Sequence, residues 1–296
     1  MPIEQKRNNI RNADSLYCAT AYNFASEGNE ELMRTVIAHG HIFKNAGTTF
    51  DWALEKNFGK SFCDHREDKP MRQQGASYLT QYLLDNPQIN AISSHHLCET
   101  STIDEIDIIP VFLLRHPIER ILSVYTFERE QKSSSPGAKA AKKYNFKDYV
   151  QWRMDPEVNR TIRNYQTSYL AGDQTRKTSK ACTLNAFNAA LNKAQHNLVG
   201  LVEKYDASMI KFEESLRKRG IELDLSYVRQ NVTNGKSTSN GISYIAEELG
   251  DIFKLVLDEN AYDLALYCAV TQLFEKEDIE DSSEKMADFK RRCATY

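Results

Sequence analysis

The sequence has no CxxC pair, no long apolar run and no excess of basic charge, and each absence removes a class of protein. Six cysteines (Cys18, Cys63, Cys98, Cys182, Cys268 and Cys293) are scattered along 296 residues. That spread predicts reduced, mostly buried thiols and argues against a disulfide scaffold or a zinc site. No stretch approaches the ~18 apolar residues of a membrane span. The first thirty residues mix Lys6, Arg7, Arg11, Asp14 and Glu27 with short apolar runs, and so lack the apolar core of a signal peptide. The expectation is an unexported, cytoplasmic protein with no membrane partner, in which the sequons at Asn159 and Asn231 carry no glycan. Lys+Arg 38 against Asp+Glu 41 leaves a net charge of −3. Nucleic-acid-binding domains usually carry a strong basic excess, so no nucleic-acid partner is expected, although a local basic cleft stays open. There is no internal repeat.

What is present is ordinary globular composition, 41% hydrophobic and 27% charged, with length for one large α/β domain or two smaller ones. Residues 1–34 are polar and read as an N-terminal arm, and 35–296 read as a single domain. Residues 35–43 are β-branched, aromatic and apolar, which predicts a strand. A helix should follow the turn at Lys44–Thr49, with Phe50, Ala53, Leu54 and Phe58 on its apolar face and Gly59 as its stop. Asn90–His95 and Leu198–Val202 are further strand candidates, and Val111–Leu114 is a continuous apolar run of the kind a buried parallel strand shows. Pro117 suits a first helical position, and Ile118, Ile121, Leu122 and Tyr125 recur at helical spacing. Helices are also expected over roughly 205–219, Ile242–Leu257 and Asn260–Lys276, and long surface loops over Lys132–Lys143 and Arg229–Gly241. Strands alternating with helices predict a three-layer α/β/α domain around a mostly parallel sheet, P-loop-like, with a helical C-terminal portion.

Two stretches carry chemistry. In His41-Ile42-Phe43-Lys44-Asn45-Ala46-Gly47-Thr48-Thr49 a strand runs through a Gly-containing turn into a helix. The free N–H groups and dipole at such a helix start favour an anion, most often phosphate. Lys44 adds a cation, and Thr48 and Thr49 add hydroxyls. A Walker loop puts its lysine after the last glycine, whereas Lys44 stands three residues before Gly47. Alone, the stretch fits an ordinary strand–turn–helix equally well. In the second stretch Arg115 ends the apolar run and Ser123 lies eight residues on, about two turns at ~3.6 residues per turn. A guanidinium fork suits phosphate oxygens, and a pairing of Arg115 with Glu119 fits the same residues.

Together these stretches resemble the two nucleotide signatures of PAPS-dependent sulfotransferases. The branch they are most similar to contains the heparan sulfate 2-O-sulfotransferases and many bacterial carbohydrate sulfotransferases. Residues 41–49 resemble the first signature and Leu113–Tyr125 the second. Asn164-Tyr-Gln166-Thr167 through Gly172, Val199 through Glu203 and Asp206, and Asn260 through Asp263 and Tyr267 are similar to three later segments of the family. In order, the five cover residues 35–275.

The resemblance implies sulfuryl transfer from PAPS to an acceptor hydroxyl on a carbohydrate, or alternatively to a small secondary-metabolite alcohol or amine, with release of PAP and no metal. It implies that Lys44, Asn45, Ala46, Gly47, Thr48 and Thr49 surround the 5′-phosphosulfate, with Lys44 stabilising charge on the bridging oxygen. Arg115 and Ser123 would hold the 3′-phosphate, and Lys236, in the late polar loop, would close over the nucleotide. A general base is also needed for the acceptor proton. Ser94-His95-His96 resembles the segment that supplies the branch's catalytic histidine, with His95 the better match and His96 the alternate. The branch often has glycine where Ser94 stands. His39 and His41 read as packing histidines, as Trp52 and Trp152 read as packing residues, and no cluster has convincing metal-ligand spacing. A P-loop kinase or a non-catalytic nucleotide-binding protein is the rival reading.

Overall fold

The computed structural model describes residues 33–101, 103–172, 182–228, 230, 241–276 and 282–296. Of the arm expected over residues 1–34, residues 1–32 lie outside the described residues, and Arg34 already opens the first strand. β1 (Arg34–Gly40), β2 (Phe62–Asp64), β3 (Ala91–Ser94), β4 (Ile106–Leu114) and β5 (Leu198–Leu201) form one sheet in the order β2-β3-β1-β4-β5, and every pairing is parallel. β1 sits at the centre because its residues are apolar on both faces. Ile37 joins one core, while Val36 and Ala38 join another behind the sheet. The same two-residue alternation splits β4: Ile109, Val111 and Leu113 face one side, Phe112 and Leu114 the other.

The helices cover both faces, as a parallel sheet requires. α1 (Gly47–Phe58) and α9 (Tyr205–Arg217) bury Phe50, Leu54, Met209 and Phe212 against one side, joined by Phe289 of α13 (Ser282–Cys293). α2 (Asp68–Gln74) and α3 (Ala76–Asp85) close a small separate core of Met71, Leu79, Leu83 and Ile92. α7 (Tyr165–Leu170), α8 (Leu184–His196) and α12 (Ala261–Lys276) pack on Phe112 and Leu114. α4 (Pro117–Glu130) packs its Ile118, Ile121 and Val124 against α6 (Phe146–Met154), α10 (Ile242–Leu249) and α11 (Phe253–Glu259). Among the described residues no helix is long and apolar enough to cross a membrane.

Several expectations are corrected. Lys132–Lys143 is not a loop throughout: α5 spans Pro136–Lys143, with the Ser135 hydroxyl accepting from Ala138 N and Pro136 in the first turn. Its Ala138, Ala140 and Ala141 are buried, and Lys139, Lys142 and Lys143 point outward. The single helix expected over Ile242–Leu257 breaks at Gly250, whose φ of 54° ends α10 and lets a short turn lead into α11. The described cysteines are less buried than expected: Cys98 and Cys182 are inside, Cys63 and Cys293 half-buried and Cys268 exposed, while Cys18 lies outside the described residues.

The firmest polar tie between α4 and α6 is an enclosed ion pair. Arg153 donates to both oxygens of Glu128 at 2.6 Å, and the Tyr149 hydroxyl donates to Glu128 at 2.6 Å. The two charged side chains are 2% and 9% exposed. Removing one partner strands the other without water. Glu128→Ala should therefore cost about 3–5 kcal/mol of stability, read as a lower urea midpoint. A loss under ~1 kcal/mol would put the pair among ordinary surface bridges.

Candidate active site

Lys44, His95 and Arg115 lie just beyond the C-terminal ends of β1, β3 and β4, neighbouring strands that diverge on either side of β1. Open α/β sheets place ligands in that crevice. The backbone leaves β1 through a tight path in which Lys44 (φ 65°) and Ala46 (φ 59°) are both left-handed. Non-glycine residues pay about 1–2 kcal/mol each for that conformation, so something must hold them. Asn45 does so: its buried side chain donates to Leu113 O at 2.7 Å and to Gln166 Oε1 at 2.6 Å. Gln166 then grips Arg115 twice, accepting from its N–H and donating to its carbonyl, each at 2.9 Å. Asn45 therefore belongs to the site through its backbone, with its side chain turned inward.

α1 begins at Gly47 with no side-chain cap and no acid in its first turn. Its leading N–H groups thus present positive potential to the crevice. A side chain at Gly47 would bring its Cβ to 2.3 Å from the His41 ring, so only glycine allows this approach. Thr48 is exposed, and Thr49 is buried with its hydroxyl accepting from Gln230 N at 3.2 Å. Gln230 begins the late polar segment, whose Lys236 lies outside the described residues.

Three cations gather around this turn. The Lys44 ammonium stands 4.5 Å from the centre of the Phe127 ring. Burial lowers its pKa, and the neighbouring charges of Arg115 and Arg120 lower it further, against Glu130. Arg115 donates to Lys44 O at 3.4 Å, and its buried Nε has no partner among the described residues. No ion pair joins Arg115 to Glu119 among the described residues; Glu203 instead accepts from His116 N and Tyr267 OH. Arg120, 2% exposed, donates to Phe43 O and Thr161 O and stacks 4.3 Å from the Tyr165 ring centre. Ser123 is half-buried on α4. The apolar run of the second stretch marked Arg115 at its end; the role of Arg120 and Gln166 in shaping the turn was not legible there.

The histidines separate cleanly. His95 is half-exposed at the end of β3, whereas His96 is 2% exposed and turned inside. His95 Nδ1 lies 3.0 Å from His41 O; a carbonyl only accepts, so Nδ1 carries the hydrogen and Nε2 of the neutral ring the lone pair. His39 and His41 are buried, as packing residues would be, but both serve one carboxylate. Nδ1 of His39 meets Asp51 Oδ1 at 2.7 Å and Nδ1 of His41 meets Oδ2 at 2.8 Å. Burial opposes ionisation of Asp51, yet the two imidazoles hold its carboxyl well below the usual range. Burial lowers the pKa of His41 despite that hydrogen bond. These three are the described residues whose atoms lie close enough together to take a metal; as they stand, each Nδ1 is spent on Asp51. A separate cleft of about 410 Å³ lies beside α8, lined by Cys98, Glu99, Phe112, Lys193 and His196, and none of the site residues lines it. Gly47→Ala should cost about 1–3 kcal/mol through overpacking against His41, measurable as a lower thermal midpoint. An unchanged midpoint would show that the turn yields freely.

A profile described as the sulfotransferase family matches residues 33–251. An uncharacterized protein of Archaeoglobus fulgidus is 30% identical over 254 residues, which span 83% of this chain and 99% of that protein. A solved sulfotransferase from Alicyclobacillus acidocaldarius aligns with 84% of this chain and 98% of its own, at 12% identity and a TM-score of 0.36, too loose a fit to argue from. The residues that build the crevice, from β1 through α10, all fall within the matched span, and the chain belongs to the sulfotransferase family.

Proposed function

We propose that the protein transfers a sulfuryl group from PAPS to an acceptor hydroxyl, on a carbohydrate, and releases PAP. The observation that carries this reading is the convergence of an uncapped helix start with Lys44 and Arg115, cations that lack a carboxylate in contact among the described residues. Such a site is built for a polyanion. The residues fit the donor: the backbone from Asn45 to Thr49 and the Thr48 and Thr49 hydroxyls would receive the 5′-phosphate, and Arg115 with Ser123 the 3′-phosphate. The buried, unpartnered Nε of Arg115 is a donor in want of an acceptor.

When bound there, PAPS supplies the sulfuryl group, whose bond to the bridging oxygen breaks with its electron pair as the acceptor oxygen bonds to sulfur. Lys44 directs its ammonium at the charge that grows on the bridging oxygen, and His95 takes the acceptor proton at Nε2. The hydrogen bond from Nδ1 to His41 O keeps that nitrogen in its basic form. A carbohydrate acceptor is favoured by the likeness of the His95 segment to the carbohydrate branch, an argument by analogy.

Calorimetry in EDTA with PAP, ADP and ATP is the direct test. PAP should bind most tightly, and Arg115→Ala should weaken it by roughly 10- to 100-fold, about 1.5–3 kcal/mol for charge-assisted hydrogen bonds. ATP binding that exceeds PAP and needs Mg²⁺ would return the chain to the kinases. An acceptor screen that reads PAP release should then separate sugars from small alcohols and amines. In that assay Lys44→Ala should lose roughly 10²- to 10³-fold in turnover and His95→Ala roughly 10²- to 10⁴-fold, both with unchanged thermal midpoints. Near-normal turnover of His95→Ala would move the base elsewhere.

A further inference from the structure

A buried acid between two buried histidines is an unusual thing to find where a sheet meets a helix. Val36, Ile37 and Ala38 precede it on β1 and are apolar, and Phe50, Ala53 and Leu54 flank it on α1. Apolar side chains would fill the same volume without taking a charge out of water, so this cluster is costly to keep unless it does something. It also touches the start of α1 and His95. Asp51 stands on the helix whose first residues form the donor cradle. His41 donates its main-chain N–H to Ser94 O at 3.0 Å, presents its ring to Gly47, and offers its carbonyl to His95 at 3.0 Å. The His41 and His95 ring centres are 4.2 Å apart.

We propose that Asp51 is a positioning residue for sulfuryl transfer: by binding His39 and His41 through one carboxylate, it fixes the His41 main chain that holds His95 with Nε2 as the proton acceptor. This rests on the reading of His95 as the base. The geometry does the fixing in three steps. His39 stands on β1 and His41 just past its end, and their rings stack 5.3 Å apart on the side facing Asp51 of α1. Each carboxylate oxygen takes one Nδ1–H, and the Ser93 hydroxyl, 3.1 Å from His39 Nδ1, closes the β3 side. Neither imidazole can turn without giving up its bond to the acid. His41 is thereby anchored at its side chain, its N–H and its carbonyl at once, and the spacing between the helix start and His95 is set by a single side chain. Asp51 touches neither the donor nor the acceptor; it acts through His41.

The substitution that isolates this role is Asp51→Asn, which keeps the shape but replaces one acceptor oxygen with an NH₂ donor. That donor faces an Nδ1–H, so one imidazole must rotate or move its proton to Nε2. With PAPS and the acceptor found in the screen, Asp51→Asn should turn over roughly 10- to 100-fold more slowly, the usual cost of misplacing a reacting group. PAP affinity should stay within about threefold, because the cradle's own N–H groups and Arg115 are untouched. Nitrogen-15 NMR of histidine-labelled wild type should show His39, His41 and His95 each protonated at Nδ1 in their neutral forms. This spectrum needs no variant, so it decides the matter even if Asp51→Asn does not fold. A neutral His95 protonated at Nε2 would overturn the proposal. So would an Asp51→Asn enzyme within twofold of wild-type turnover, or one whose PAP affinity falls as far as its turnover. Wild type that consumes no PAPS with any acceptor would instead overturn the parent reading.

Discussion

The site depends on one carboxamide. Gln166 spends three of its hydrogen-bonding positions on two chain segments that would otherwise part: Asn45 from the turn after β1, and both main-chain groups of Arg115 after β4. Its own N–H and that of Thr167 are taken by the Asp263 carboxylate, while Asn164 donates its N–H to Asn260 Oδ1 and accepts the N–H of Asp263 at its own Oδ1. α7 and α12 thus hold the amide, and the amide holds the turn. Without it, two left-handed residues and a guanidinium deprived of water would have no reason to stay where they are.

Charge explains the rest of the arrangement. Burial lowers the proton affinity of Lys44, Arg115 and Arg120 alike; the charge of Arg115 lowers Lys44 and Arg120 further, and that of Arg120 lowers Lys44. Arg120 is satisfied in part by carbonyls and a tyrosine face, not by an acid, and its Nη2 has no partner among the described residues. The acids close by are engaged elsewhere: Glu203 holds His116 N and Tyr267, and Asp51 faces the histidines. Among the described residues no carboxylate contacts Lys44 or Arg115, although Glu130 acts on the first and Glu203 and Glu119 on the second from a distance.

Much of this was legible in the chain, and the exceptions have physical causes. Continuous apolar runs gave β1, β4 and β5, since strands buried on both faces show no polar alternation. β2 is three residues long at a sheet edge and left no pattern. α5 reads as a polar loop in composition, although Ser135-Pro136 and the spacing of its alanines are a helix start and a buried face. Lys44 and Arg115 announced themselves by position after strands. Asp51 did not, because one acid within a helix looks like a solvated residue; its only sign was a His-x-His pair sharing a strand face just ahead of it. His95 and His96 differ in which way each turns, half-exposed against buried, and only the folded chain shows that difference.

The strand order has a consequence for how such an enzyme can change. His95 hangs from β3, on the side of the sheet whose α2 and α3 close a core of their own around Met71, Leu79 and Leu83. Arg115 follows Leu114 of β4 and Ser123 sits on α4; Leu114 and the buried face of α4 pack into two other cores, while Ile106 at the far end of β4 shares the α2–α3 core. Substitutions that reshape one flank need not disturb the other, since β1 and its turn stand between them. On the proposed assignment, the base and the nucleotide contacts therefore draw on different cores, and the boundary for swapping segments between relatives falls along β1.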